Sequence, residues 1–229
     1  MPTSKPFRNQ RTRFHNYSPP YGDKAVYDRF FPSEGVRPRG GFPSRRNGRL
    51  VDFWDPREYA AIILFETAPG ILAYEERPER LKLRDGPSWY FYVPHFRLET
   101  DLGPVVVELS ADGTPATPRQ EIVADLARAH YETRGIRLVG ISHSVIKQKA
   151  RANDAHALLR YLSVTPTGPD ALLASDALAT GNATVAEVER ASGVSHGRLL
   201  ALVRSGELAI VGKGPVGQAS VLTRPGSRP

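Results

Sequence analysis

Between Trp89 and Ser110 the chain reads WYFYVPHFRLETDLGPVVVELS. Aromatic and β-branched residues fill two apolar runs on either side of a short polar turn, Glu99–Gly103, the pattern of two strands in a hairpin or meander. The second run, Val105–Leu109, is apolar until it reaches Glu108. It reads as a buried strand. A carboxylate at the end of a buried strand needs a partner or a function, because burying an unpaired charge is costly.

The segments around this pair supply the rest of an α/β unit. Asp55-Pro56-Arg57-Glu58 has the grammar of a helix start, with Asp at N-cap, Pro at N1 and a carboxylate at N3. The helix runs on through Phe65, apolar nearly all round, and Pro69-Gly70 stops it. A strand Ile71–Glu76 and a charged strand Glu79–Arg84 follow, with Gly86-Pro87 as the turn. Thr117-Pro118-Arg119-Gln120 opens a second helix, whose buried stripe is expected at Ile122, Val123, Leu126, Ala129 and His130. Ile136–Ile141 reads as a short buried strand, Val145–Lys149 as a helical turn and Asn153–Leu162 as a helix. Helix, strands, helix, strand predicts a mixed sheet flanked by helices.

The texture changes at Thr165-Pro166-Thr167-Gly168-Pro169, a linker. Beyond it come a helix Asp170–Ala179, a capping box at Thr184 opening a helix Val185–Ala191, and a helix His196–Arg204. A hairpin of Glu207–Val211 with Gln218–Thr223 closes the chain. Helix, turn, helix, hairpin is a winged-helix layout. The expected division is therefore 1–40, 41–164 and 165–229. Gly212-Lys213-Gly214-Pro215-Val216-Gly217 lacks the G-K-[ST] of a phosphate loop and reads as a wing turn.

Charge is unevenly spread. The formal net charge of +7 hides an excess of +8 over residues 1–50, with 11 Lys/Arg against 3 Asp/Glu. The remaining 179 residues sum to −1, and residues 165–229 hold 6 Lys/Arg against 5 Asp/Glu. The positive field belongs to the first fifty residues, where arginines alternate with aromatics and Pro without a sustained period. This is the pattern of an extended arm that orders on a polyanion. Arg8, Arg11, Arg13, Arg45, Arg46 and Arg49 are the candidate nucleic-acid contacts, neutralising phosphates while rings stack on bases. The near-neutral tail fits a protein-binding winged helix at least as well as a DNA reader.

With no cysteine, disulfides, thiolate–zinc sites and thiol catalysis are excluded. No apolar run has the length of a membrane span, and no secretory h-region is visible. A cytoplasmic setting is expected. His15 sits in the basic arm. His130, His143, His156 and His196 show no spacing that demands a metal, and no Ser-His-Asp arrangement is visible.

Chemistry concentrates on Glu58, His95, Glu108 and Ser110. A helix acid, a polar residue on one strand and an acid-x-polar tripeptide on the next can converge at one end of a mixed sheet. Metal-dependent nucleases use such a set to hold divalent ions that polarise a phosphate and activate water.

The entry GFPSRRNGRLVDFWDPREYAAIILFETAPGILAYEERP, with YVPHF and VVVELS after it, resembles the N-terminal domain of TnsA, the endonuclease subunit of heteromeric transposases. The likeness covers roughly residues 41–163. It implies a restriction-endonuclease-like fold, a C-terminal winged-helix domain and a bacterial, nucleoid-associated setting. It also implies Mg²⁺- or Mn²⁺-dependent cleavage of the 5′ strand at transposon ends, beside a TnsB-like DDE transposase and a TnsC-like ATPase.

The carry-over is partial. Glu58 and Glu108 match the helix acid and strand acid, so Glu58, His95 and Glu108 would be the metal ligands. His95 stands where the family has its central Asp, and Ser110 where it has Lys. Imidazole suits Mg²⁺ poorly, and losing a charge-stabilising contact costs on the order of 2.7–4 kcal/mol of barrier. Lys147 and Lys149 are candidates for a substitute cation. The resemblance thus implies an impaired nuclease. The alternatives are a non-catalytic DNA- and protein-interaction subunit, or a winged-helix regulator.

Overall fold

The computed structural model of the chain describes residues 40–110, 116–212 and 214–225, with the backbone alone for 147 and 149–153. Arg8, Arg11 and Arg13, with the rest of residues 1–39, lie outside the described residues.

The first described segment is a hairpin of β1 (Gly40–Ser44) and β2 (Arg49–Phe53). Its tight turn needs the left-handed backbone of Gly48, at φ 63°. Helix α1 (Pro56–Thr67) follows. Asp55 caps it, accepting from the backbone N–H of Arg57 and Glu58. Glu58 reaches one residue past the cap and accepts from Trp54 N–H instead of completing a capping box.

The central sheet holds β3 (Ile71–Glu76), β6 (Phe96–Thr100), β7 (Gly103–Ser110) and β8 (Arg137–Ser142) in that spatial order. The first three are antiparallel neighbours, and β8 runs parallel to β7. That last step needs a crossover, which contains α2 (Pro118–Glu132). Strand alternation sorts the run of valines. Val105, Val107 and Leu109 pack in one cluster with Ile62 and Phe65 of α1 and with Phe96. Val106 packs in another with Ala127 and Tyr131 of α2. Glu108, in phase with Val106, shares the α2 face.

The stretch Trp89–Leu98 is two strands rather than one. β5 (Ser88–Tyr92) pairs with β4 (Leu81–Asp85) as a separate hairpin, while β6 joins the central sheet. Pro94 lies in the break, where its missing N–H removes a ladder donor. The buried stripe of α2 is rotated from the expected one: Ala127 and Tyr131 are buried, and Ile122 and Ala129 are exposed. The β4–β5 hairpin draws α2 onto that face through Leu81 and Leu83.

Short helices α3 (His143–Lys147) and α4 (Lys149–Leu159) lead to the last unit. It comprises α5 (Gly168–Ala177), β9 (Ala183–Thr184), α6 (Val185–Ser192), α7 (His196–Ser205), β10 (Ala209–Val211) and β11 (Val221–Thr223). Capping boxes start α5 at Thr167 and α6 at Thr184. Gly168-Pro169, expected in the linker, therefore belongs to a helix. The expected hairpin forms, and β9 adds a third strand in the order β10-β11-β9. Leu158 of α4 belongs to the core of this unit, with Leu199, Leu202 and Leu222. None of the described helices is long and apolar enough to cross a membrane.

One buried carboxylate joins the entry hairpin to α1 and β3. Glu66, 2% exposed, accepts from Ser44 Oγ at 2.8 Å and Tyr74 Oη at 2.8 Å on one oxygen. Its other oxygen accepts from the backbone N–H of Arg45 and Arg46 at 2.9 and 3.0 Å. Asn47 pairs with both backbone groups of Tyr74. Burial, with the adjoining Glu66 carboxylate, pushes the Tyr74 phenol above its ordinary range. Replacing Glu66 by Ala strands four donors, so we expect a loss of about 3 kcal/mol or more. It would be read as a lower urea midpoint at unchanged denaturant slope.

Candidate functional site

The N-terminus of α1, the end of β3, the start of β6 and the end of β7 carry the candidate residues. Asp55 fixes the first of these. Burial opposes its ionisation, yet the Arg57 guanidinium and two backbone N–H groups hold its carboxyl below the usual range.

Glu58 lies in the first turn of α1, 5% exposed. Arg77 Nη1 donates to both its oxygens, at 3.0 and 3.1 Å. The side chains of this pair are only 7% and 6% exposed. Arg77 Nη2 donates to Asp52 O at 2.9 Å, and the guanidinium lies 3.7 Å from the Trp54 ring centroid. The backbone of Arg77 is left-handed, at φ 46°, a conformation that costs a non-glycine residue of order 1–3 kcal/mol. Its N–H donates to His95 O at 2.9 Å. His95 lies in the bend just before β6 rather than on a strand as expected, so the kink is tied to that bend, and it sends the guanidinium under Trp54 to Glu58.

His95 and Glu108 meet directly. Nδ1 lies 3.1 Å from Glu108 Oε1, and Tyr92 Oη donates to Oε2 at 2.8 Å. Burial lowers the proton affinity of His95, but the hydrogen bond to Glu108 and the fields of Glu108 and Glu58 outweigh it and raise the pKa above 6.5. The protonated ring donates Nδ1–H to Glu108. After deprotonation at Nδ1, the same nitrogen can accept from Leu109 N–H, 3.3 Å away. Burial, followed by the Glu108 charge, pushes the Tyr92 phenol far above its usual value.

The structure therefore gathers Glu58, His95 and Glu108 into one neighbourhood. Ser110 stands exposed at the end of β7, in register with Ser142. The side chains of Lys147 and Lys149 lie outside the described residues. Among the described residues no group of three His, Cys, Asp or Glu could hold a metal ion. The set does not fit a divalent cation, because Glu58 already carries a buried guanidinium. Burial of that carboxylate is compensated by this internal cation.

Two of the nucleic-acid candidates serve internally. Arg46 donates to the carbonyls of Glu66, Ala68 and Ile71. Arg49 forms a two-pronged pair with Glu76, at 2.7 and 2.5 Å. Arg45 is exposed.

Sequence reasoning missed Arg77 and Tyr92. Arg77 is 19 residues from Glu58, and no local spacing links them. Tyr92 is visible only as one ring in an aromatic run. No known family model matches the chain, and no curated protein matches it.

Two outcomes follow for this neighbourhood. Arg77→Ala would leave Glu58 buried without its cation, at a cost of about 3–5 kcal/mol. Adding Glu58→Gln should recover part of that loss in a double-mutant cycle of urea unfolding. For His95, the folded pKa lies above the unfolded one, so its contribution is complete below about pH 6.5 and disappears as pH rises through the folded value. Glu108→Gln should lower the pKa of His95 in an NMR titration and flatten that part of the stability–pH profile.

Proposed function

We propose that the chain is a TnsA-like, DNA-binding subunit of a heteromeric transposase, in which ion pairs inside a restriction-endonuclease-like domain have taken the place of the metal centre. The observation that carries this reading is the buried Glu58–Arg77 pair. The acid at the ligand position is neutralised by a guanidinium of the same chain. The Glu108 carboxylate is likewise engaged, by His95 and Tyr92. A carboxylate already paired gives up that pairing before it can bind a cation, which weakens any metal site built on it.

The mixed four-stranded sheet with helices on both faces supports the nuclease-like part of the reading. The helices and three-stranded sheet of residues 168–223 support the winged-helix part. In such a complex the chain would contribute contacts to transposon-end DNA, to a DDE transposase and to an ATPase. Strand cleavage would be weak or lost.

Mixing the purified chain with supercoiled plasmid or transposon-end DNA and Mg²⁺ or Mn²⁺, with and without a partner transposase, tests this. The expected result is a gel shift without 5′ nicks. Nicking by the wild-type chain that Glu108→Ala abolishes would overturn the impaired-site reading. A variant combining Arg77→Gln, His95→Asp and Ser110→Lys should gain nicking, since it frees Glu58 and restores an acid and a cation.

A further inference from the structure

The β4–β5 hairpin has two unlike faces. Leu81 and Leu83, with Tyr90 and Tyr92, pack toward α2. By strand alternation the other face presents Lys82 and Arg84 from β4 and Trp89 and Phe91 from β5. Trp89 is 50% exposed and Phe91 45%. Lys82 Nζ lies 4.3 Å from the Trp89 ring centroid, and the Arg84 guanidinium 5.5 Å from it. The Arg80 guanidinium lies 4.1 Å from the Phe91 centroid. Cross-strand pairing sets Lys82 opposite Phe91 and Arg84 opposite Trp89, so cations and rings alternate with no carboxylate among them.

Solvent faces of antiparallel hairpins are ordinarily polar. Two large rings left half in water and flanked by cations form an exposed aromatic patch of the kind that marks interaction sites. The ligand must combine flat faces with negative charge. The rings stand two residues apart, about 6.7 Å along the strand, so each can hold its own base. Cations beside them can meet the phosphates between bases. A duplex keeps its bases stacked on one another, whereas a single strand offers them to aromatic side chains.

We infer that the outer face of the β4–β5 hairpin binds single-stranded DNA, stacking bases on Trp89 and Phe91 while Lys82 and Arg84 meet the backbone. Naming DNA rather than RNA rests on the function proposed above, while the stacking surface does not depend on it. The surface is separate from the Glu58–Glu108 neighbourhood in its chemistry, needing neither metal nor strand cleavage.

Anisotropy of labelled oligo(dT), with the full chain and no divalent ion, tests it. Trp89→Ala with Phe91→Ala should weaken oligo(dT) binding at least about tenfold, and leave binding of a blunt duplex within about twofold. Lys82→Ala with Arg84→Ala should reduce the log–log salt slope by about 1.4. The chain has two tryptophans, so in a Trp54→Phe background Trp89 alone reports, and oligo(dT) should quench it. That readout keeps its force if the double ring variant folds poorly. Unchanged oligo(dT) affinity in a folded ring variant, an equal loss on duplex, an unquenched Trp89, or tenfold tighter binding of oligo(rU) would each overturn the inference. Failure of the proposed function would appear elsewhere, as metal-dependent nicking by the wild-type chain.

Discussion

The described structure depends on one buried carboxylate. Glu66, near the end of α1, accepts from a serine hydroxyl, a tyrosine hydroxyl and two consecutive backbone N–H groups. These donors come from the β1–β2 hairpin and from β3. A carboxylate taken out of water must be satisfied from several directions, so this one fixes three elements at once. The Arg46 guanidinium completes the joint by capping the carbonyls that α1 leaves open. With α1 held in this way, its N-terminal Glu58 comes to the same neighbourhood as His95 and Glu108.

The candidate site is likewise governed by pairing rather than by free ligands. Glu58 is matched by Arg77, and Glu108 by His95 and Tyr92. Arg77 adopts a strained backbone conformation to reach its partner. Its stacking on Trp54 and its bond to Asp52 O offset that strain. In a metal-dependent nuclease, acids clustered in this way share a cation from solution. Here the cation near Glu58 is part of the chain.

Much was legible in the residues themselves. The caps at Asp55, Thr117 and Thr184 act within three residues, and each starts a helix where the pattern put it. The valine run before Glu108 did mark a sheet strand covered on both faces. Where reading went astray, a neighbour distant in sequence decided the matter. The buried face of α2 was set by Leu81 and Leu83 across a gap of some forty residues, a rotation that a moderate apolar pattern could not resist. The largely aromatic and apolar texture of Trp89–Leu98 concealed a division at Pro94, since both halves remain extended and only their partners differ. Arg46 and Arg49 carry the charge expected of phosphate contacts, yet carbonyls and Glu76 take up their donors.

The sequence by itself determined the alternation of helices and strands, the change of texture near residue 165 and the concentration of positive charge in the first fifty residues. These follow from local propensity, capping and composition, which act over a few residues at a time. Tertiary structure alone decided that β5 pairs with β4, that Arg77 closes on Glu58, and that two rings and their cations face solvent on one hairpin. Each of those outcomes depends on strand register and on which side chains meet across long sequence separations. Register is a property of the assembled sheet, so it could not be read from the chain one residue at a time.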